Sequence, residues 1–204
     1  MKNKSIEQTL VIIKGDGVQR GIAGEIITRF EKVGLKLKAM KMVWPNNEMI
    51  NKHYDAENKE WLENVGIKAI KGYEKRGIKI DTAPIDIGLI VQKNLLSYFS
   101  AGPVIAIVLE GSHAIEMVRK IVGPTDPFSA APGTIRGDYS MDSFQMSDVE
   151  DRTIRNLIHA SGDVEDAKKE IEIWFDKSEL HTYIMPIEEI LYSKDWEKKQ
   201  AIIE

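Results

Sequence analysis

The sequence predicts an α+β fold in which a four-stranded antiparallel sheet has helices packed on one face, with an additional helical insertion. The order of the segments leads to this class. Strand and helix patterns follow one another as strand, helix, strand, helical insert, strand, helix, long loop, strand and helix. The chain therefore holds two strand–helix–strand units, which is typical of the ferredoxin-like, split βαβ arrangement. A Rossmann-type sheet is the competing class.

Length and composition set the first limits. At ~150 residues per domain, 204 residues correspond to about 1.4 domains, so one domain with insertions or two small ones. The chain has no cysteine, which excludes disulfide scaffolds, thiolate zinc sites and cysteine nucleophiles. Its 28 Lys and Arg against 32 Asp and Glu give a net charge of −4. This balance argues against a protein that coats nucleic acid, but it permits a local basic pocket.

The apolar runs of the chain are short. The first, Leu10–Ile13, does not suffice for the core of a signal peptide, and the longest, Val104–Leu109, is far below the ~20 residues of a membrane-spanning helix. We therefore expect a cytoplasmic protein without a membrane partner.

The first part of the chain predicts two strands around a helix. Thr9–Ile13 is a short β-rich run, typical of a buried strand, and the glycines within residues 15–21 indicate a turn-rich loop. Apolar residues then recur at helical spacing over residues 22–33. In the next segment Lys36 and Lys38 alternate with apolar residues, which predicts a strand with one face in water.

The middle of the chain predicts helices before and after one strand. Apolar residues at helical spacing indicate three helices, at residues 49–54, 62–73 and 87–99. The apolar run Val104–Leu109 is typical of a buried strand. Ser112 is a suitable N-cap for a helix that ends near Val122, before Gly123 and Pro124.

The last part of the chain begins with a long loop. Residues 125–138 are rich in Pro, Gly, Ala and Ser, and long ordered loops are usually functional. Residues 140–153 are polar and acidic, which predicts a surface excursion. A short strand over residues 156–158 ends at His159, and a helix follows at about residues 164–175. Leu180, Tyr183 and Ile184 then suggest a short helix.

His159 is the histidine whose position suggests chemistry. The small residues Ala160 and Ser161 follow it, which leaves the imidazole accessible to a bulky reactant, and Glu170 lies about three turns along the next helix. A histidine with one ring nitrogen held by a carboxylate and the other free can act as a nucleophile. Without further context, a satisfied histidine at a sheet edge is the alternative.

Cationic and hydroxyl side chains suited to phosphate lie in several segments. They are Lys14 at the end of the first strand, Arg119 in a helix, and Thr125 and Arg136 in the long loop. Gly133 and Gly137, which lie before and after Arg136, allow the backbone to approach a ligand closely. Each of these residues, taken alone, is also compatible with a surface charge or a loop cap.

Several familiar motifs are missing. The chain has no Walker A sequence and no HExxH, and its four histidines show no metal-ligand spacing. The element Gly15-Asp16-Gly17 alone indicates only a tight turn. Without a GxGxxG sequence, a dinucleotide-dependent oxidoreductase is improbable.

Three motifs together point to a known family. They are residues 14–21 (KGDGVQRG), 132–138 (PGTIRGD) and 155–161 (RNLIHAS). In this order they closely resemble nucleoside diphosphate kinase. The resemblance runs from Thr9 into residues 174–180, which implies a single domain of this type over residues 1–204. Two insertions interrupt it, at about residues 63–92 and 140–150.

The resemblance implies a role for each matching residue. His159 stands where the family has its phosphorylated histidine, supported by the serine and glutamate that match Ser161 and Glu170. The nucleotide-binding positions match Lys14 near the terminal phosphate and the ribose, Tyr54 beside that lysine, Arg119, Thr125 and Arg136 at the phosphates, and Asn156 at the sugar. Trp61 stands where the family stacks the base on a phenylalanine, and an indole stacks equally well.

The implied activity is transfer of the terminal phosphoryl group of ATP or another nucleoside triphosphate to a nucleoside diphosphate, by a ping-pong mechanism through phosphohistidine. The expected cofactor is Mg²⁺, carried by the nucleotide because no carboxylate cage is evident. The resemblance also implies a homo-oligomer, a hexamer or a tetramer built from dimers. We expect no nucleic-acid partner.

Two alternatives remain at this point. A catalytically silent family member that binds nucleotide or serves as a structural protein is compatible with the insertions, although the intact set of charged residues argues against it. A nucleic-acid-binding regulator is disfavoured by the net charge. Three positions depart from the family pattern: Gly15 replaces a usual proline, Ala160 a common glycine and Gly162 a common acidic residue. None of these changes removes a catalytic charge.

Overall fold

The computed structural model describes residues 6–200 and contains a four-stranded sheet. Its strands are β1 (Ile6–Ile13), β2 (Lys36–Val43), β3 (Val104–Ser112) and β4 (Ile158–Ala160). They lie in the order β2-β3-β1-β4, and each neighbouring pair is antiparallel. This confirms the predicted α+β, ferredoxin-like class and excludes the parallel sheet of the Rossmann alternative.

Helices account for most of the remaining structure. Their bounds are α1 (Gly15–Gln19), α2 (Ala23–Lys32), α3 (Asn47–Tyr54), α4 (Lys59–Lys75), α5 (Pro84–Ser100), α6 (Ala114–Val122), α7 (Ile135–Tyr139), α8 (Phe144–Val149), α9 (Val164–Trp174), α10 (Ile187–Tyr192) and α11 (Trp196–Gln200). Short 3₁₀ turns lie at Pro127–Ser129 and Lys177–Glu179. Within residues 6–200, no helix has both the length and the hydropathy needed to cross a bilayer.

The sheet is covered on both faces, and not on one face as the sequence predicted. On one face, α2 and α6 pack against apolar residues of β1 and β3, with Phe30 and Val118 fully buried. On the other, α3, α9 and the end of α5 bury Ile50, Phe99 and Trp174. The cause lies in β1 and β3, whose consecutive residues are apolar and therefore need cover on both sides of the sheet.

The lysine face of β2 is also not in water, contrary to the prediction. Lys36 and Lys38 are buried beneath the C-terminal segment. The Lys36 Nζ donates to the carbonyl oxygen of Tyr183 at 2.7 Å, and the Lys38 Nζ lies 3.7 Å from the Glu110 carboxylate. Burial of an ammonium group requires such partners, and here β3 and the covering segment together provide them in place of water. The prediction of a helix at residues 180–184 is wrong, because these residues form no regular element and α10 begins only at Ile187.

Smaller differences concern element ends. The glycine-rich segment after β1 folds into the short helix α1. Ser112 is not the N-cap of α6, as predicted, but the last residue of β3. The N-cap position is occupied by His113, which has a left-handed φ of 50°. The long loop and the acidic excursion contain the short helices α7 and α8, and the strand at His159 begins at Ile158.

The helical insertion forms a hairpin of α4 and α5. A Cβ atom at Gly66 would overlap the carbonyl group of Pro84, and one at Gly88 would overlap that of Leu62. These two glycines therefore allow the helix backbones to approach closely. Only residues 101–103 separate α5 from β3, so the hairpin is joined to the sheet by a short connection.

Candidate active site

A cavity of about 750 Å³ opens beside the β1–β4 edge of the sheet. It brings together seven of the ten residues that the sequence singled out: Lys14, Tyr54, Arg119, Thr125, Arg136, Asn156 and His159. Leu95 of α5 and Thr153 and Ile154 of the segment before β4 complete part of the wall. None of the residues that line the cavity, all of them in the described range, is Asp or Glu. The cavity is thus polar and cationic, which suits an anionic ligand.

His159 is positioned by strand pairing and by a strained turn. In the β1–β4 ladder it lies opposite Ile12. The residue two positions earlier, Leu157, has a left-handed φ of 69°, which costs a non-glycine residue roughly 1–2 kcal/mol. Its N–H donates to Asp16 Oδ2 at 3.1 Å, and its carbonyl accepts from the Lys14 N–H at 2.8 Å. These two bonds hold the turn that directs β4 past the cavity.

One ring nitrogen of His159 is held and the other is not. His159 Nε2 lies 3.0 Å from Glu170 Oε1, and the other carboxylate oxygen accepts from Ser161 Oγ at 2.5 Å. Because a carboxylate accepts hydrogen bonds, Nε2 carries the proton and Nδ1 keeps its lone pair. Ser161 and Glu170 therefore lie behind His159 and not in the cavity wall. The His159 side chain is 15% exposed, so a ligand reaches it from the cavity.

The surroundings keep His159 neutral. Burial, together with the charges of Lys14, Arg136 and Arg119, lowers the pKa of His159 to about 3. The imidazole is therefore unprotonated at Nδ1 throughout the physiological range, which is the form that acts as a nucleophile. Burial raises the pKa of Glu170, and the neighbouring His53 opposes that rise.

The two buried cations differ in how firmly they are held. The Lys14 Nζ donates to Asn156 Oδ1 at 2.7 Å, and burial lowers the pKa of Lys14 to about 7, with Arg136 adding to the effect. Arg136 donates to three backbone carbonyls, among them that of Ile158 at 2.7 Å and that of Gly123 at 2.9 Å. Its guanidinium is thus fixed beneath the β4 end of the cavity.

The remaining predicted residues lie nearer the entrance. Arg119 is exposed, and its Nη1 is 3.5 Å from the Ser161 carbonyl oxygen, at the long limit of a hydrogen bond. The Thr125 carbonyl accepts from Asn156 Nδ2 at 2.9 Å. Trp61 does not line the cavity. Its ring packs beside Tyr54, with the centroids 6.2 Å apart.

Two residues near His159 were not singled out from the sequence. Asp16 accepts a hydrogen bond from the Leu157 N–H and so supports the turn before His159. Its position within the first glycine motif is the feature of the sequence that could have indicated this role. His53 lies behind the cavity, with its ring centroid 4.5 Å from that of His159. Its sequence neighbour Tyr54 was noticed, but no sequence pattern shows that a helix residue at 53 meets a strand residue at 159.

Known proteins match the chain over most of its length. The family model described as nucleoside diphosphate kinase matches residues 7–70 and 90–180. The unmatched residues 71–89 lie within the predicted first insertion, whereas residues 140–150 lie inside the matched range.

Relatives and solved structures agree with this match. A nucleoside diphosphate kinase of Pyrobaculum aerophilum is 47% identical over 180 residues, covering 86% of this chain and 98% of the relative. The crystal structure of an NDP kinase from that organism has a TM-score of 0.82 at 46% identity and covers 87% of this chain and 100% of that one. A Borrelia burgdorferi enzyme with bound vanadate and ADP, described as a transition state mimic, has a TM-score of 0.73 at 36% identity over 91% of this chain and 96% of that one. The chain therefore belongs to the nucleoside diphosphate kinase family.

Proposed function

We propose that the enzyme transfers phosphoryl groups between nucleotides in two half-reactions through His159. Family membership establishes nucleoside diphosphate phosphotransfer, and the route through the histidine is the proposal. The observation that carries it is the pairing of His159 Nε2 with Glu170, which leaves an unprotonated Nδ1 at a cationic cavity.

In the first half-reaction, Nδ1 attacks the terminal phosphorus of a nucleoside triphosphate. An N–P bond forms, the bond from phosphorus to the bridging oxygen breaks, and the nucleoside diphosphate leaves with the electron pair. In the second, a terminal oxygen of another diphosphate attacks the phosphohistidine, and the N–P bond breaks. Nδ1 regains its lone pair, so no net proton is consumed.

The cations of the cavity supply the charge stabilisation. Phosphoryl transfer depends mostly on positioning and on neutralising charge at the phosphate oxygens. Arg136 is held rigidly by backbone carbonyls, Lys14 by Asn156, and Arg119 has the freedom to close on a bound phosphate chain. In this proposal the three cations bind the phosphates while Glu170 stabilises the positive charge that develops on the His159 ring.

A divalent metal fits this site only if the nucleotide carries it. Mg²⁺ prefers oxygen ligands, and the described lining of the cavity has no Asp or Glu to provide them. Glu170, the carboxylate that contacts His159, is already committed to His159 and Ser161. We therefore propose that Mg²⁺ is bound by the phosphates, where it offsets their charge, and that the protein holds the metal through its nucleotide.

We expect the enzyme to accept nucleotides with different bases. Tyr54, Trp61 and Leu95 offer apolar and aromatic surface near the cavity, and stacking on such surface suits any base. Beyond its bonds to Lys14 and Thr125, the Asn156 amide keeps one hydrogen and one oxygen lone pair for the sugar. A related Halobacterium salinarum enzyme, 33% identical with a TM-score of 0.66 and covering 92% of this chain and 99% of that one, is in complex with CDP, and the Borrelia enzyme holds ADP. A purine and a pyrimidine ligand in relatives support the idea.

We further propose that the enzyme is a cytoplasmic homo-oligomer. Its edge strand β2 exposes Met40 and Met42, and Trp44 follows with 67% of its surface exposed. Phe128 and Met141 are also largely exposed. Apolar side chains in such positions are typical of protein contacts. Light scattering coupled to size-exclusion chromatography distinguishes a hexamer or tetramer from a monomer.

The substitution His159→Asn tests the function. We expect phosphoryl exchange between ATP and a second diphosphate to fall ~10³-fold or more, with ADP binding retained. The control is His113→Asn, because His113 lies outside the cavity and asparagine tolerates its left-handed backbone. Retained turnover in His159→Asn would overturn the proposal. An unmodified protein that binds ATP without exchanging phosphate would favour the silent alternative.

A further inference from the structure

His53 is a buried histidine that the phosphotransfer scheme does not use. It lies near the end of α3, and its side chain is fully buried. Tyr54, Phe99 and Trp174 surround the ring with aromatic contacts, and the His159 ring stands against it nearly at a right angle. The His53 ring therefore packs against the His159 ring on the side away from the cavity.

Trp174 determines which nitrogen of His53 carries the proton. The indole Nε1–H donates to His53 Nδ1 at 3.2 Å. Because an indole N–H is only a donor, the accepting Nδ1 is unprotonated, and the neutral ring carries its hydrogen on Nε2. Burial lowers the pKa of His53 to about 3, although the charge of Glu170 opposes this shift, so the ring stays neutral.

The Nε2–H of His53 faces the carboxylate behind His159. Nε2 lies 4.0 Å from Glu170 Oε1 and has no hydrogen-bond partner in the described part of the chain. Its charged and titratable neighbours are Glu170, His159 and Lys14, whereas the aromatic rings around it are uncharged. A buried donor without a partner is costly unless it interacts with a nearby charge. Glu170 is the anion within its reach.

We propose that His53 is a positioning residue for phosphotransfer, whose Nε2–H dipole keeps Glu170 ionised and aligned on His159 Nε2. The inference rests on the proposed function, since it assigns the support of the same histidine. Glu170 already accepts from Ser161 Oγ and His159 Nε2, and His53 adds a third donor dipole on the side away from the cavity. Trp174 takes part by fixing the tautomer that points the hydrogen at Glu170.

A metal ion is the competing use of this cluster. Ligand atoms of His53, His159 and Glu170 all lie within 4.8 Å of one another. A metal would need a lone pair on Nε2 of both rings. In a neutral His53 ring, a lone pair on Nε2 would place the hydrogen on Nδ1, where two donors, this N–H and that of Trp174, would face each other. For His159 it would remove the donor to Glu170. The hydrogen bonds therefore favour a carboxylate held by donors over a metal site.

Two substitutions that differ by one methylene group test the proposal. In His53→Gln the side-chain amide reaches the place of Nε2 and keeps a donor toward Glu170. In His53→Asn it reaches only the place of Nδ1, so it still accepts from Trp174 but leaves Glu170 without the third donor. We expect the rate of His159 phosphorylation in a single turnover with ATP to fall about tenfold in the Asn variant and to stay near the unmodified rate in the Gln variant.

Two further readouts separate positioning from packing. Without the donor, Glu170 takes up a proton more readily, so the acid limb of the rate–pH profile moves to higher pH in His53→Asn, while the Kd for ADP stays the same. Trp174→Phe, which keeps an aromatic ring but loses the N–H, is expected to move the limb in the same direction.

An Asn variant with the unmodified rate and profile would overturn the inference. Equal rate losses in the Gln and Asn variants that follow their loss of thermal stability would also overturn it, because they would show a packing role. If the unmodified protein formed no phosphohistidine at all, the proposed function itself would fail, so the two failures are distinguishable.

Discussion

The cluster behind His159 and the contact between the end of α4 and α8 differ in how far water reaches their charged groups. Behind His159, a buried carboxylate meets two hydrogen-bond donors at 2.5 and 3.0 Å. At the outer contact, Tyr73 of α4 and Arg76, which follows that helix, reach Asp148 of α8, with the Tyr73 hydroxyl 3.1 Å from the Asp148 carboxylate. The side chains of that ion pair keep 28% and 26% of their surface exposed.

The two regions differ in how strongly their charges interact, because water reaches one region more than the other. Charges interact several times more strongly in a buried site than at the surface, where water and salt screen them. Small changes around Glu170 should therefore alter the reaction strongly, whereas Asp148 contributes little. The α4–α5 hairpin instead depends on the close backbone contact that Gly66 and Gly88 allow. The predictions below test this contrast.

The largest effect is expected from Glu170→Gln. The neutral amide no longer stabilises the positive charge that develops on the His159 ring, so the rate of His159 phosphorylation should fall by about 10²-fold or more. Single-turnover kinetics with ATP measure this rate. Glu172→Gln, on the exposed side of the same helix, is the matched control and should behave like the unmodified enzyme. Equal rates for both variants would contradict the importance of the buried carboxylate.

Gly66→Ala tests the hairpin. The added methyl group would meet the Pro84 carbonyl, so we expect a loss of about 1–3 kcal/mol in the free energy of unfolding. Gly72→Ala, in the same helix but without a crowded neighbour, should instead stabilise by about 0.5–1 kcal/mol. Thermal unfolding at one protein concentration compares the two. A Gly66 variant as stable as the Gly72 variant would show that the close helix contact is not needed.

The pH dependence of nucleotide binding tests the charge on Lys14. Its pKa is about 7, so the side chain is protonated below this pH and becomes neutral as the pH rises. The affinity of the free enzyme for ADP should therefore fall above pH 7, by up to about tenfold per pH unit. Calorimetric titrations from pH 6 to 9 measure it. In Lys14→Ala this fall should be absent, and a slope that persists there would assign it to another group.

The smallest effect is expected from Asp148→Asn. The ion pair with Arg76 is partly exposed, so its loss should change the free energy of unfolding by less than about 1 kcal/mol. Phosphoryl exchange should remain unchanged. Denaturant unfolding at low and high salt measures the contribution, which salt should reduce further. A loss of several kcal/mol, or a loss of exchange activity, would mean that the contact between the end of α4 and α8 supports the site.

Local patterns predicted the sheet well because they act over short distances. The apolar runs of β1 and β3 and the helical spacing in α2 and α6 each reflect the burial of one element. The cover over Lys36 and Lys38 was not predictable in this way. Both lysines also donate to the C-terminal segment, at Tyr183 and Thr182, and alternation of polar and apolar residues does not distinguish water from a distant chain segment.

The candidate site shows the same division. Residue types near His159 indicated a supported nucleophile, and Glu170 does lie against its ring. The cationic side chains of Lys14 and Arg136 indicated phosphate binding, and both residues line the cavity. The sequence did not indicate a role for His53. The tautomer of His53 depends on Trp174, a residue 121 positions away in the chain. Such a contact exists only once α3 and α9 have packed on the same face of the sheet.

The most direct test asks which atom carries the phosphoryl group. The protein, labelled with ¹⁵N-histidine, is treated with ATP in the absence of an acceptor and studied by ¹⁵N and ³¹P NMR. The account predicts an acid-labile phosphoryl group on Nδ1 of His159, because Glu170 occupies Nε2, and its disappearance when a nucleoside diphosphate is added. Phosphate on Nε2, on another residue, or on no residue of the protein would contradict it.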